Sequence, residues 1–357
     1  MPGIERLLKY SFINAKLRGK ISNLLDEDFF LEMIKASTVS EAAGILNDTP
    51  YREAGGIYER TGDIKLAEAD LYKKEILVFM ELEKYLRDEV LDFVRALAAR
   101  YEIENLKSYL RLWFDRVIKK RRIENSSSYI YRGVIRHNLY PDRIINAESA
   151  EEISVILSSS PYGRIISENS GDIETYKNIF KLETALDIYF YQKLYEKAGK
   201  LNKMDYKITL RMTGAEIDTE NITRLARFRD FYKMPADKAF EWIIPFGSLI
   251  DRKILKEAYK SRDYFDVIKS RYRHLLPDMM KKHEEHHEGV PEVIQLEKIL
   301  DRIILKEVGK IMGGDPFSIG IILSYFVLKK NEMRKVMTVL NAKYYGIEES
   351  RIKSAVL

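Results

Sequence analysis

The chain has 357 residues, of which 46% are hydrophobic and 32% charged, a composition typical of a folded protein with real cores rather than a disordered one. It contains no cysteine, which excludes disulfides, thiol catalysis and cysteine-based zinc sites. The net charge of +5 permits contact with an anionic surface but does not require it. Only 9 prolines and 18 glycines interrupt the chain, which favours long helices.

The first residues lead into a charged amphipathic segment, without the apolar centre of a signal peptide. The most apolar run extends only from Pro316 to Leu328 and includes Ser318 and Ser324. A bilayer requires about 20 residues of helix, so we expect a buried helix here and a chain that does not itself span a membrane.

The spacing of apolar residues predicts amphipathic helices along most of the chain. Between Leu71 and Leu97 they recur mostly in steps of three and four, which predicts one long helix with Glu81–Leu86 at its middle. Asp63 and Asp172, each between glycine and isoleucine, are predicted N-caps of two long helices. No run alternates with period two for long enough to indicate a sheet, so the predicted fold class is all-α.

Three marks recur along the chain in the same order. They are a turn ending in tyrosine, a Leu-Glu helix and a helix with a Glu/Asn pair. The tyrosine turns end at Tyr51, Tyr162 and Tyr272, the Leu-Glu helices contain Leu82–Leu86, Leu182–Leu186 and Leu296–Leu300, and the Glu/Asn marks begin at Glu104, Glu220 and Asn331. The two intervals between successive tyrosines are nearly equal. Such self-similarity predicts three related helical units, spanning 1–122, 123–233 and 234–357.

One short motif could indicate metal chemistry. His283-Glu284-Glu285-His286-His287 matches H-E-x-x-H, in which two histidines bind zinc and the glutamate acts as base. Charged residues surround the motif, and Gly289 follows soon after it, unlike the buried apolar helix of a zinc protease. We therefore interpret His283–Glu288 as a solvated linker, with a zinc hydrolase as the alternative.

Other chemistries have little support in the sequence. The basic run Lys119–Arg122 could bind phosphate, but it is more typical of cations near a helix C-terminus, and no nucleic-acid module accompanies it. No glycine-rich nucleotide motif and no specific Ser/His/Asp arrangement are present. We predict no catalytic residue, no cofactor and no metal site, and hence a protein that is not an enzyme.

The C-terminal third carries a specific resemblance. Gly313–Phe326 resembles a characteristic stretch of the C subunit of A-type (archaeal-type) ATP synthases, and of the d subunit of vacuolar ATPases, the AC39 family. Leu328–Arg334, Lys343–Ile347, Tyr10–Gly19 and Tyr101–Arg111 extend the resemblance over essentially the whole chain. Thr338, where the first two units have arginine, and the charged insert Lys281–Glu288 depart from the pattern.

The resemblance implies three related helical domains arranged as a pseudo-threefold funnel. It implies a non-catalytic rotor subunit that seats the D and F subunits of the central stalk and rests on the proteolipid ring. It places that subunit peripherally, at the cytoplasmic face of the cell membrane, within proton- or sodium-driven ATP synthesis or hydrolysis. No nucleic acid or small-molecule substrate is expected. The alternative is a helical-repeat scaffold that binds other proteins, unrelated to a rotary ATPase.

For the stalk cavity, the hypothesis is that one helix of each unit lines it. The Glu/Asn helices are the candidates, with Asn105, Asn221 and Glu332 as partner-binding residues. Glu83, Glu183 and Glu297 are interpreted as fold positions rather than catalytic acids.

Overall fold

The computed structural model describes residues 2–123, 126–230, 232–247, 250–272 and 292–357, and side chains for these except 2–3, 172, 174–176, 272 and 292–297. Every regular element in these ranges is helical, which confirms the all-α prediction. The α-helices are α1 Pro2–Ser22, α2 Glu27–Lys35, α3 Val39–Ile45, α4 Arg52–Thr61, α5 Ile64–Glu83, α6 Asp88–Val117, α7 Pro141–Asn146, α8 Ala150–Ile156, α9 Pro161–Tyr176, α10 Phe180–Ala198, α11 Lys203–Asp230, α12 Ala236–Ala239, α13 Arg252–Lys260, α14 Tyr264–Tyr272, α15 Glu292–Met312, α16 Gly320–Tyr344 and α17 Glu349–Val356.

The chain divides into two compact units. The first comprises Met1–Ala15 and Asp187–Ser324, and the second comprises Lys16–Leu186 and Tyr325–Leu357. The division into three units at 122 and 233, and their arrangement as a funnel, stay predictions.

In the second unit, the N-terminal helices α2 to α5 share one hydrophobic core with the C-terminal helices α16 and α17. Fully buried residues from both ends meet there, among them Met33, Leu46, Val336, Leu340 and Ile352. Burying a side chain of this size contributes about 1.5–3 kcal/mol, so segments far apart in sequence are held by many such contacts.

Elsewhere in the second unit, α6 packs against α7 and α5. The buried indole of Trp113 donates to the carbonyl oxygen of Ala147 at 3.0 Å, which fixes the segment between α7 and α8 on α6. The rings of Phe79 and Phe326 stack with centroids 3.6 Å apart.

In the first unit, α11 packs along α15 and also contacts α13. The buried carboxylate of Asp205, near the start of α11, accepts the Tyr10 hydroxyl at 2.6 Å and the Ile319 backbone N–H at 2.9 Å. Arg224 pairs with Asp187 at 2.9 Å. Polar contacts of α11 therefore fix the first helix, the start of α16 and a residue of α10.

Two sequence predictions about helix boundaries need correction. The predicted long helix is broken, because α5 ends at Glu83 and α6 begins at Asp88, where φ is 47°, a left-handed value incompatible with a continuous helix. The apolar spacing continues across the break, since Leu82, Leu86 and Val90 are all buried. Asp63 caps α5 as predicted, accepting the Lys65 N–H at 2.9 Å, but Asp172 lies inside α9.

The apolar run also behaves as predicted, since residues 319–326 are buried and helical from Gly320 onward. Within the described ranges, none of the helices combines the length and the apolar character that crossing a membrane requires.

Candidate functional site

A buried glutamate on α6 forms hydrogen bonds with residues that lie later in the chain. Glu102 is only 1% exposed, and its carboxylate accepts the Tyr162 hydroxyl at 2.7 Å. It also accepts the backbone N–H groups of Arg136 and His137, each at 2.7 Å, and lies 2.7 Å from Nδ1 of His137. Four partners on one carboxylate satisfy a charge whose burial is otherwise costly.

A second buried glutamate, on α16, also accepts hydrogen bonds from a tyrosine hydroxyl and a backbone N–H. Glu332 is 5% exposed and accepts the Tyr51 hydroxyl and the Leu25 backbone N–H, the latter at 2.6 Å. Lys329 pairs with it at 2.6 Å, and the same ammonium group lies 4.6 Å from the centre of the Tyr51 ring. Burial, and next the charge of Glu332, raise the pKa of the Tyr51 hydroxyl far above its usual range. The tyrosine therefore stays a hydrogen-bond donor.

Two partners of each carboxylate have the same spacing in the sequence. The sequence separation between Leu25 and Tyr51 is the same as that between Arg136 and Tyr162. In each case, a backbone N–H and the tyrosine that ends the repeated turn bind one carboxylate. The turns that end at Tyr51 and Tyr162 are thus docking elements that pair with acids on long helices. We call this arrangement the acid–tyrosine dock.

The first unit holds a related buried acid on α11. Asp218 is 1% exposed, and the backbone at Gly247 approaches it so closely that an added Cβ would collide with its Oδ1. Gly247 precedes Tyr272 at nearly the separation found in the two docks, although the Tyr272 side chain lies outside the described residues. Asn221 lies one turn further along α11. Its side-chain amide forms two hydrogen bonds with the backbone of Ile244, donating to the carbonyl oxygen at 2.8 Å and accepting from the N–H at 2.7 Å.

The three predicted partner-binding residues are all buried: Asn105 at 4%, Asn221 at 2% and Glu332 at 5% exposure. Asn105 and Glu332 belong to the second unit and Asn221 to the first. No described hydrogen bond joins one of them to another.

Two of the three glutamates interpreted as fold positions make ion pairs within the second unit. Glu83 pairs with Arg95 at 2.9 Å, and Glu183 with Arg111 at 2.5 Å. The side chain of Glu297 lies outside the described residues.

Sequence reasoning missed Glu102 and Asp218, although a signal for both exists. Glu102 lies one helical turn from Ala98 and one from Leu106, on the apolar stripe of its helix, and all three are buried. Asp218 interrupts the stripe of α11 in the same way. A carboxylate on a stripe that is otherwise apolar requires buried partners, and this is how such positions can be found.

The motifs that suggested other chemistries gain no support. Residues 283–288, with the H-E-x-x-H pattern, lie outside the described residues, and within the described residues no group of histidines and carboxylates could hold a metal ion. The basic run follows the end of α6, where Arg121 lies 3.7 Å from Asp115 and the Lys119 ammonium lies 5.1 Å from the centre of the Phe114 ring.

Comparison with known proteins identifies the family. The model of the ATP synthase (C/AC39) subunit family matches residues 13–355. The chain is similar to the C subunit of the A-type ATP synthase of Methanocaldococcus jannaschii, at 22% identity over 98% of this chain and 87% of the relative. The same subunit of Thermococcus onnurineus is 26% identical over 97% of this chain and 90% of the relative. The names of these relatives indicate a subunit of the synthase and no catalytic role. The chain belongs to the ATP synthase (C/AC39) subunit family.

Proposed function

We propose that the chain is the non-catalytic central-rotor subunit of an A-type ATP synthase. It couples the proteolipid ring to the D and F subunits of the central stalk during proton- or sodium-driven synthesis or hydrolysis. The observation that carries this proposal is the family match across residues 13–355. The family match favours this role over a helical scaffold unrelated to a rotary ATPase.

The packing of the second unit supports a part that transmits torque. A coupling part must deform little, because strain energy stored in it does not reach the catalytic head. The dock at Glu332 joins residues 281 positions apart in the chain, and the core around it is shared by both ends of the chain. Close-packed cores and satisfied polar networks resist deformation.

For the stalk contact, we propose that α6, α11 and α16 line the cavity. Because Asn105, Asn221 and Glu332 are buried, they would fix these helices, and exposed neighbours would contact the stalk. The test compares a buried triple variant (Asn105→Ala, Asn221→Ala, Glu332→Gln) with an exposed double variant (Glu220→Ala, Arg334→Ala). We expect both to bind a purified D–F stalk more weakly, the exposed double with an unchanged thermal melt. If the exposed double binds normally and the buried triple merely melts earlier, these helices do not face the stalk.

The proposed location is the cytoplasmic face of the cell membrane, as a peripheral subunit without nucleic-acid or small-molecule ligands. Reciprocal co-purification from solubilised membranes tests the assignment. The affinity-tagged chain should recover the D and F subunits and the proteolipid, and a tagged stalk should recover this chain. Recovery of neither stalk nor ring would contradict the proposal.

A further inference from the structure

The first unit contains a groove of about 770 Å³ between the first two turns of α11 and the end of α15. Its floor is apolar, with Met204, Ile208 and Ile311, of which the two isoleucines are buried. Met204 is also contacted by Arg6, whose Nη1 lies 2.7 Å from its sulfur. Unbranched methionine adapts its shape to a partner, which suits a binding floor.

Basic side chains line the rim of this groove in an ordered row. Lys203, Lys207 and Arg211 are exposed and occupy every fourth position of α11, so they follow one another at roughly 6 Å along one face of the helix. Lys310, also exposed, approaches from α15 on the opposite side.

The carboxylates at the groove are already engaged by other groups. Glu307 pairs with Lys310 and lies 3.9 Å from Arg211, and Asp315 pairs with Arg6 at 2.9 Å. Among the described residues, neither Lys203 nor Lys207 has an acidic partner. The five basic groups therefore exceed the two acidic ones, which leaves the groove positive and open to an anionic ligand.

The arrangement of these cations distinguishes between kinds of anionic ligand. A phosphate or lipid headgroup requires cations that converge on one point, whereas these are spread along two helical turns beside an apolar floor. That pattern fits an amphipathic helix lying in a groove, its apolar residues on the floor and its acids along the rim. We propose that this groove binds an acidic amphipathic helix of a partner protein, with carboxylates at four-residue spacing facing Lys203, Lys207 and Arg211. The groove would do so whether or not the chain serves as the rotor.

The test is photo-crosslinking in the intact synthase complex, purified through this chain after its assembly has been verified. p-Benzoylphenylalanine replaces Leu210, which lines the groove, and in a parallel control it replaces the exposed Lys253 of α13. We expect a crosslink from position 210 to a helical protein segment with acids every fourth residue. A crosslink to lipid, to a segment without such acids, or no crosslink above the control would overturn the proposal.

Charge reversal provides the matched control. Lys203→Glu with Lys207→Glu should abolish the crosslink, whereas Lys253→Glu with Lys260→Glu, on exposed α13 positions away from the groove, should leave it unchanged. A synthetic peptide of the crosslinked segment should bind the full chain at least about tenfold more tightly than its Glu→Gln version, with affinity falling as salt rises. Equal affinity of the two peptides, or equal effects of the two double reversals, would contradict an electrostatic groove. Vesicles of phosphatidylglycerol that bind with the same lysine dependence in place of the peptide would instead identify a headgroup site and overturn the proposal.

Discussion

The dock at Glu102 yields the most quantitative prediction about stability. Replacing Glu102 by alanine removes the acceptor of the Tyr162 hydroxyl and of two backbone N–H groups, and one partner of the His137 ring. Breaking a buried charged cluster by deleting one member typically costs about 3–5 kcal/mol. Because the His137 side chain is 34% exposed, water can replace part of its interaction, which places the expected loss near 3 kcal/mol, the lower end of that range.

Two milder variants separate the contributions of individual hydrogen bonds to this loss of stability. Tyr162→Phe removes one donor and should cost about 1–2 kcal/mol, and Glu102→Gln, which keeps one carbonyl oxygen, should fall between that value and the alanine variant. Because both residues belong to one cluster, their effects should not add. A double-mutant cycle should give a coupling of about 1 kcal/mol or more.

The assay is denaturant unfolding followed by circular dichroism, with hydrogen exchange across residues 132–140. Tyr345→Phe serves as the matched control, since Tyr345 is 66% exposed, and it should change stability by less than about 0.5 kcal/mol. A loss below about 1 kcal/mol for Glu102→Ala, or strictly additive effects of the two mild variants, would refute the reasoning.

Three further predictions follow from the second unit. Gly55→Ala should lower the free energy of unfolding by about 1–3 kcal/mol, because the added Cβ would lie 2.5 Å from a backbone carbonyl oxygen of α3. Gly44→Ala is the control: its added Cβ would have its nearest contact at 3.8 Å, so denaturant unfolding should show it to be neutral or slightly stabilising. Tyr51→Phe combined with Glu332→Gln should speed hydrogen exchange in α2 and α17 and leave α11 unchanged, and unchanged exchange in α2 would contradict the second dock. Burial raises the pKa of Tyr325 to about 12 and raises the pKa of Tyr51 further. The folded state therefore keeps protons on these hydroxyls that the unfolded state loses above about pH 10. Stability should fall as the pH rises past about 10. Denaturant unfolding that shows unchanged stability between about pH 10 and pH 12 would contradict this last expectation.

Local patterns predicted the helical class and the turns before Tyr51 and Tyr162, because helical spacing and turn residues act over a few neighbours. The third predicted turn is wrong, since Tyr272 ends helix α14 and its copy of the mark lacks the proline. The break at 84–87 was not predictable from apolar spacing, since Leu82, Leu86 and Val90 are buried on both sides of it. The backbone leaves the helical conformation there, with Arg87 extended and Asp88 left-handed, and apolar periodicity does not report backbone angles.

Two of the partner-binding candidates, Asn105 and Glu332, lie on the helices that carry the docking acids, but only Glu332 is itself a docking acid. Alignment of the repeats paired Asn105 with Glu332, whereas the acid with the corresponding partners is Glu102, nearly one turn earlier on the same helix. A shift of nearly one turn keeps a side chain on almost the same helix face, so apolar periodicity cannot distinguish the two alignments. The partners of Glu332 lie 281 and 307 positions away, near the start of the chain, and no local rule connects them.

The absence of cysteine permits the most direct test of the rotor proposal, because one introduced thiol is unique in this chain. Lys253→Cys, on an exposed position of α13, would carry a bead in the assembled synthase whose catalytic head is fixed to a surface. On addition of ATP, the proposal predicts that the bead rotates together with a probe on the D subunit of the stalk, in the same direction and at the same rate. A bead on this chain that stays still while the probe on the stalk turns would contradict it.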